Sequence, residues 1–588
     1  MSVLRRIYMA SALVGASTLL LAACSGGESS GPAAGPAGPD VPLPVGGPAP
    51  VPPAPPVAMT ALDTEEEAAR FLQQASVGAT MAEIEDAVGD DAEDWLEREF
   101  DRSPTLLLPE LLQRGANGDD LNGRPQSDLY WRGLVTGEDT LRQRMAFALS
   151  QILVVSDAGM NNRALQVAHY MDILTANAFG NYRTLLEDIT YSPAMAEYLT
   201  YLRNRRGDPR TGRMPDENYA RELLQLFAIG LVELEMDGTV RQGPDGPIEI
   251  FDNDDIQGLA RVFTGLSLKG SGFRDEDPDG RYSRLQMFDE QHSELEKEFL
   301  GLTIPAGTLG DESISMALDQ IFAHPNVAPF VSRQLIQRFT ASNPTPDYVE
   351  RVANAFEAGI FTAPDGSDFG TGERGDLEAT LAAILLDPVV HMPNGDLPVT
   401  GGKVREPILK FVSWARAFDV SPADPSVENR LRDTRSPSDR LGQHPFRSPS
   451  VFNFYRPGFV APGTQSGALN LTAPELQIIN EGASVGYVNF MTDYVFDRTP
   501  TQGGVDSFAP DYSAELALAD DPAALVDRLD TLLTAGRMTD EERMEVIETV
   551  GMVPISAGDP EDADEDRLRR VRVAVLMVTN LPAFAVIQ

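Results

Sequence analysis

The sequence predicts a mainly α protein: a large multi-helix globular domain with a few short strands, set behind a signal peptide and a Pro/Gly/Ala-rich linker. Three observations predict this class. Apolar residues recur at helical spacing through most of residues 61–588. Capping residues precede many of these runs, and Gly or Pro closes them. Alternating runs rich in β-branched residues are few, so strands are expected only locally. A stretch of this length exceeds one small core and is expected to form either one large helical unit or two intimately joined lobes, about 61–270 and 271–588. No fixed-period repeat is visible, which argues against a solenoid.

The elements follow in order. Arg5 and Arg6 precede a short apolar run that ends Leu20-Leu21-Ala22-Ala23-Cys24. The run is too short to span a bilayer and is closed by small residues, so it reads as an export signal over residues 1–23. Leu-Ala-Ala-Cys is the pattern of a lipobox, which makes Cys24, the single cysteine, the expected lipidation site. Acyl chains on that residue give stable membrane anchoring. Ser25 fits onward sorting to an outer membrane. Residues 24–60 are Pro, Ala and Gly-rich, cannot form a core, and read as a disordered tether.

"EEEAARFLQQASVGAT" opens the helical part. "GEDTLRQRMAFALSQILVVS" carries Leu141, Met145, Ala148, Leu149 and Ile152 on one face, with Asp139 or Thr140 as cap. "ALQVAHYMDILTANAFG" runs to Gly180, and "NYRTLLEDITYSPAMAEYLTYL" breaks at Pro193. "PDENYARELLQLFAIG" has Asp216 as expected N-cap, Leu223, Leu224 and Phe227 as its stripe, and Gly230 as C-cap. "GTVRQ" and "PIEIFD" are expected to pair across Gly-Pro-Asp-Gly. "DNDDIQGLARVFTGL" is a capped helix. Three helices follow, punctuated at His324-Pro325 and Asn343-Pro344. "GDLEATLAAILLDP", "KVREPILKFVSWARAF" and a hairpin over 521–550 complete the pattern.

Lys plus Arg is 47 against 89 Asp plus Glu, a formal net charge of −42. That excludes the basic footprint of nucleic-acid binding and disfavours docking on anionic headgroups. A solvated acidic surface is the simplest reading. No G-x-S-x-G elbow, P-loop, H-E-x-x-H or C-x-x-C-H occurs, so common serine hydrolases, NTPases, zinc proteases and c-type cytochromes are disfavoured.

Four groups of residues carry candidate chemistry. Glu217 and Arg221 are four apart and face each other, while Asn218, Glu222 and Gln225 line the adjacent face. One carboxylate is a candidate acid or base, with the other tuning it. The alternative is an Arg–Glu network tying helices together, with Glu187, Asp188, Arg144 and Arg333 as partners. Among five histidines, His292 stands near Asp289 and Glu290 and is a candidate proton relay or metal ligand. His324 reads first as a turn residue. "LGQHPFRSPSVFNFYRP" is aromatic and basic; Gln443, His444, Arg447, Asn453 and Tyr455 can hydrogen-bond a sugar or other polar ligand. Asp275, Asp277, Asp279 and Gly280 imitate half of a calcium loop, but Gln286 stands where Glu is needed.

Taken together, "RFLQQASVGAT", "LRQRMAFALSQILVVS", "NAFGNYRTLLEDITYSPAMAEYL", "PDENYARELLQLFAIGL", "ARVFTGL", "HPNVAPFVSRQLIQRF", "GKVREPILK" and "SPSVFNFYRPGF" resemble the bacterial domain of unknown function (DUF) 1800 family over about residues 65–588. The resemblance implies a large, mainly helical exported protein. It also implies a gene often placed beside that of an exported DUF 1501 protein, which resembles the alkaline phosphatase and sulfatase superfamily. "TNLPAFAVIQ" departs from the family's Ser-Pro-Glu-type ending. Two functions are therefore expected. One is an envelope enzyme acting on a polar polymer such as a glycan, with Glu222, Glu217 and His292 in acid–base roles and Arg221 and Arg333 holding substrate. The other is a non-catalytic scaffold or maturation partner of the DUF 1501 protein.

Overall fold

The computed structural model describes residues 60–160, 163–392, 401–422, 431, 433–497 and 508–588. The signal peptide, Cys24 and the tether up to residue 59 lie outside the described residues. The described chain is mainly α, with strands only in short two-stranded sheets. Its first helix, Glu65–Ala75, starts with a full capping box between Thr64 and Glu67 and buries Ala68, Phe71, Leu72 and Ala75. One hydrophobic cluster extends from Leu62 to Phe584.

The helix Thr140–Ile152 lies at the centre and is buried on nearly all sides. It packs on Ala92–Phe100, Ala164–Ala176 and Val327–Phe339. A helix buried all round needs partners for its polar residues, and this one carries Arg142, Gln143, Arg144 and Gln151 inside. The helix Val327–Phe339 in turn packs on Pro346–Ala358, which packs on the apolar Leu377–Leu385. Pro193 begins the expected second helix, Pro193–Tyr198, and the Ala164–Ala176 helix ends four residues short of Gly180.

The expected hairpin forms, with Gln242 opposite Pro247 and Gly243 opposite Gly246. A second hairpin, Lys297–Phe299 with Leu302–Ile304, lies against the helix Asn253–Val262. Gly258 permits that approach, because a Cβ there would stand 1.8 Å from the Glu298 carbonyl oxygen. At the C-terminus Val586–Ile587 pairs antiparallel with Lys403–Val404, and Phe584 is fully buried. The unusual last residues thus pack as a strand on the motif "GKVRE".

That strand borders a cluster of buried charge. The Lys403, Glu406 and Glu475 side chains are 0% exposed, and Arg144 and Arg338 are buried with them. Lys403 Nζ lies 3.1 Å from Glu475 Oε1 and 3.9 Å from Glu406 Oε1, and donates to the Arg338 carbonyl at 2.9 Å. Gln151 Nε2 and Gln443 Nε2 each donate to Glu406 Oε2 at 2.6 Å, and the Tyr455 hydroxyl donates to Glu406 Oε1 at 3.0 Å. Arg144 donates to the Arg338 carbonyl, and Arg338 donates to the carbonyls of Gln334 and Gln151 at 2.9 and 3.3 Å. Burial pushes the Glu475 carboxyl up and the Lys403 ammonium down, and each opposes the other's shift.

Removing one member of a buried pair leaves a charge without compensation and costs about 3–5 kcal/mol. The substitution Glu406→Gln is therefore expected to lower the unfolding free energy of the soluble domain by about that amount in urea titration. A loss below about 1 kcal/mol would show that the carboxylate is not needed as a counter-charge.

Candidate functional site

The segment "PDENYARELLQLFAIG" is where the helical ladder changes register. It is α-helical over Asn218–Glu222 and a π-helix over Leu223–Ala228. The expected N-cap is shifted by one residue. Glu217 occupies the cap position without a side-chain bond, while Asp216 Oδ1 accepts from the Asn218 N–H at 2.9 Å. The Ile229 N–H reaches back five residues to Leu224 O at 3.0 Å, the spacing of a π turn. Gly230 closes the run at φ +76°, where a Cβ would meet the Phe330 ring at 2.9 Å. Before the helix, Thr200 and Arg203 hold positive φ of 64° and 63°, a conformation unusual for a β-branched residue such as Thr200.

Glu217 and Arg221 form the expected pair at 3.6 Å, both partly exposed. Glu222 does not join the expected helix-tying network. Glu187 pairs with Arg183 at 3.0 Å and Arg284 at 2.7 Å, Asp188 lies 3.6 Å from Arg284, and Arg144 belongs to the Glu406 cluster. Arg333 points its Nη1 at the Gly238 carbonyl, 3.5 Å away, so it is not gathered with Arg221. Glu222 is half-buried instead, with Oε2 shielded from solvent and without a hydrogen-bond partner. Burial pushes its carboxyl above the usual range, opposed by Arg221. Its charge acts on Tyr198, which also neighbours Ser448.

Ser448 brings in the aromatic loop. A small cavity of about 30 Å³ is lined by Gln151, Gln443, His444, Ser448, Asn453 and the Phe446 ring, among others. That volume suits a water molecule and little more. Ser448 Oγ is buried beside the Tyr198 hydroxyl, Asn453 Nδ2 is buried without a hydrogen-bond partner, and Asn453 sits at φ 59°. Glu222, Tyr198 and this loop are thus linked through one tyrosine. Tyr455 and Gln443 face inward onto Glu406 rather than outward. Arg447 lies 3.3 Å from Asp157 Oδ1 and 3.5 Å from Asp433 Oδ2. Asp157 is pushed up to about 6 by burial, against the pull of Arg124 and Arg435.

The histidines are structural in their contacts. His444 Nδ1 accepts from the Thr434 N–H at 3.3 Å, so its Nε2–H donates to Ser127 Oγ at 3.1 Å, and burial lowers it to about 3. His292 is buried; its Nδ1–H donates to the Thr264 carbonyl at 2.8 Å and its Nε2 lies 3.3 Å from Ser313 Oγ. Its hydrogen-bond partners include neither Glu217 nor Glu222, and burial favours the neutral ring. His324 accepts from the Asn326 N–H at 3.1 Å, the turn role expected of it.

Asp275 and Asp279 of the aspartate loop pair with their own neighbours. Asp279 pairs with Lys269 at 2.7 Å, and Asp275 Oδ2 accepts from Ser271 at 2.7 Å. Among the described residues no group of three His, Cys, Asp or Glu side chains is gathered as a metal would require. A second cavity, about 510 Å³, opens among Arg102, Leu107, Glu110, Arg132 and Asp139. Its charges pair within its own walls, Arg132 with Glu110 and Asp139 with the Thr105 N–H at 2.8 Å.

The family model described as "Protein of unknown function (DUF1800)" matches residues 70–586, from the first helix to the final strand. The chain belongs to the DUF1800 family. No curated protein and no solved structure matches it. Among the described residues no helix is long and apolar enough to cross a membrane. In this DUF1800 chain the residues that sequence reasoning passed over are Tyr198, Asp157, Ser448, Glu406 and Glu475. The Lys403-x-x-Glu406 spacing ahead of an apolar helix was the available signal for the charge cluster. Nothing local marks Tyr198 or Ser448.

A carboxyl held above its ordinary range gives stability below its unfolded pKa that is lost as pH rises through the folded value. Asp157 behaves so between about 3.9 and about 6. An Asp157→Asn chain is expected to lose less stability than the parent from pH 4 to pH 7 in parallel thermal scans. For Glu222→Gln the midpoint at pH 7 is expected to stay level or rise, since a shielded charge without a hydrogen bond is removed. A fall of several degrees would mean that Glu222 anchors the helix.

Proposed function

We propose that this DUF1800 protein is anchored to the cell envelope through lipidated Cys24 and acts on a polar polymer such as a glycan, with Glu222 as its acid–base group. One observation carries the reading: a shielded Glu222 oxygen without a hydrogen bond, close enough to Tyr198 to act on it, with Tyr198 in turn beside Ser448 of the aromatic loop. A proton donor working near neutral pH needs a carboxyl raised by its surroundings, and burial supplies that here. Arg221, partly exposed beside Glu217, offers a cation at the rim. The long Pro/Ala/Gly segment lets the acidic body stand away from the anionic bilayer.

One observation favours a second reading, a non-catalytic partner of an exported DUF 1501 protein. Arg144, Arg338, Lys403 and Glu406 lie within the family-like motifs and are enclosed among themselves, where no substrate reaches them.

Soluble protein and its Glu222→Gln variant, incubated with purified envelope glycans and followed by release of reducing ends, separate the readings. The enzyme reading expects turnover that falls by about 100-fold or more in the variant. Full activity in the variant contradicts it. A stable complex with the DUF 1501 protein, combined with no turnover of any glycan, supports the partner reading.

A further inference from the structure

Arg405, next in sequence to Glu406, belongs to a second group of buried cations. Arg405 is 1% exposed. Its Nη2 donates to Gln73 Oε1 at 2.8 Å, and the same oxygen accepts from Arg537 Nη2 at 3.2 Å. Two guanidinium groups thus converge on one neutral amide, which its own Nε2 bond to the Leu533 carbonyl at 3.2 Å holds in that orientation. Arg405 Nη1 is buried without a partner. Arg70, 9% exposed, has only the Met392 carbonyl at 2.9 Å, and Lys410, 8% exposed, lies over the Tyr487 ring at 4.8 Å.

Among the described residues none of Arg70, Arg405, Lys410 and Arg537 makes an ion pair, in a chain of net charge −42. The carboxylates that reach this group electrostatically are Glu67 and Asp530. Both are engaged elsewhere: Glu67 caps its own helix at Thr64, and Asp530 takes the Thr534 hydroxyl and the Met538 N–H. Buried cations without a counter-charge are costly, and acidic residues are abundant in this sequence, so the omission of one here calls for an anion from outside the group. Gln73 and Arg537 are only half-buried, so the cluster is reached from the surface on that side.

We propose that Arg405 and Arg537, which meet at Gln73, together with Arg70 close to Arg537, bind a small oxyanion, a phosphate or carboxylate, either free or ending a larger molecule. Arg537 Nε and Nη1 are held by the Thr534 and Val586 carbonyls at 2.8 and 2.9 Å, so the unpartnered Arg405 Nη1 supplies the free donor and Arg537 adds its charge at the rim. The site is separate from the Glu222 region and stands independently of the function proposed above.

The test is the thermal midpoint of the intact chain with inorganic phosphate, glycerol 3-phosphate or acetate added at constant ionic strength, with chloride as reference. Phosphate is expected to raise the midpoint by about 1–3 °C at saturation. A response to glycerol 3-phosphate at lower concentration assigns the site to an attached head group, and an equal response assigns it to the free ion. Gln73→Glu places a carboxylate between the two arginines. It is expected to raise the midpoint without phosphate and to abolish the response. Arg537→Gln, at the half-exposed rim, is expected to weaken the response while the chain stays folded. Oxyanions that act no better than chloride, or a Gln73→Glu chain that is less stable than the parent or responds as the parent does, overturn the proposal.

Discussion

Five charges that cannot reach water must satisfy one another at the centre of this protein. Lys403 and Glu406 share one motif, and Glu475, Arg144 and Arg338 come from three other parts of the chain. None of the elements that carry them can shift alone, because desolvating an unpaired charge costs more than most packing contacts return. The pairing therefore fixes where the central Thr140–Ile152 helix, the Val327–Phe339 helix, the final strand pair and the aromatic loop stand relative to each other. Apolar packing alone is less demanding about register, since hydrophobic residues tolerate exchange of position when volume is kept.

The candidate site depends on that frame. Glu406 holds Gln151 from one helix and Gln443 from the loop. The same loop buries Ser448 and Asn453, and Ser156 beyond the end of the central helix holds the Ser448 carbonyl at 2.8 Å. Tyr198 then connects this loop to Glu222 at the junction of α and π register. Inside the frame Lys403 pairs with Glu475 and lies near Glu406, while Arg144 and Arg338 donate to backbone carbonyls. Glu222 keeps one shielded oxygen without a hydrogen bond.

The helical class, the capped starts at Thr64 and Asp252 and the Gly243–Gly246 hairpin turn were legible because they arise from interactions between residues near in sequence. The Glu217–Arg221 pair was legible for the same reason. The partners of Glu222 were not. Helix spacing says which residues share a face but not which distant element covers it, so Tyr198 and Ser448 carry no signal of their own. His292 looked reactive among acidic neighbours, yet its environment is set by Thr264 and Ser313 from other segments. The π turn is equally silent in the sequence, because Leu223–Ala228 reads as ordinary apolar helix.

The central claim is that the buried charges act as one coupled unit. A double-mutant cycle between Lys403→Met and Glu475→Gln measures that coupling directly, by urea unfolding of the parent, both single variants and the pair. The account predicts a coupling energy of about 2 kcal/mol or more, with the double variant more stable than the sum of the single losses allows. Additive losses, with coupling below about 0.5 kcal/mol, would contradict it and leave the arrangement of the motifs to apolar packing.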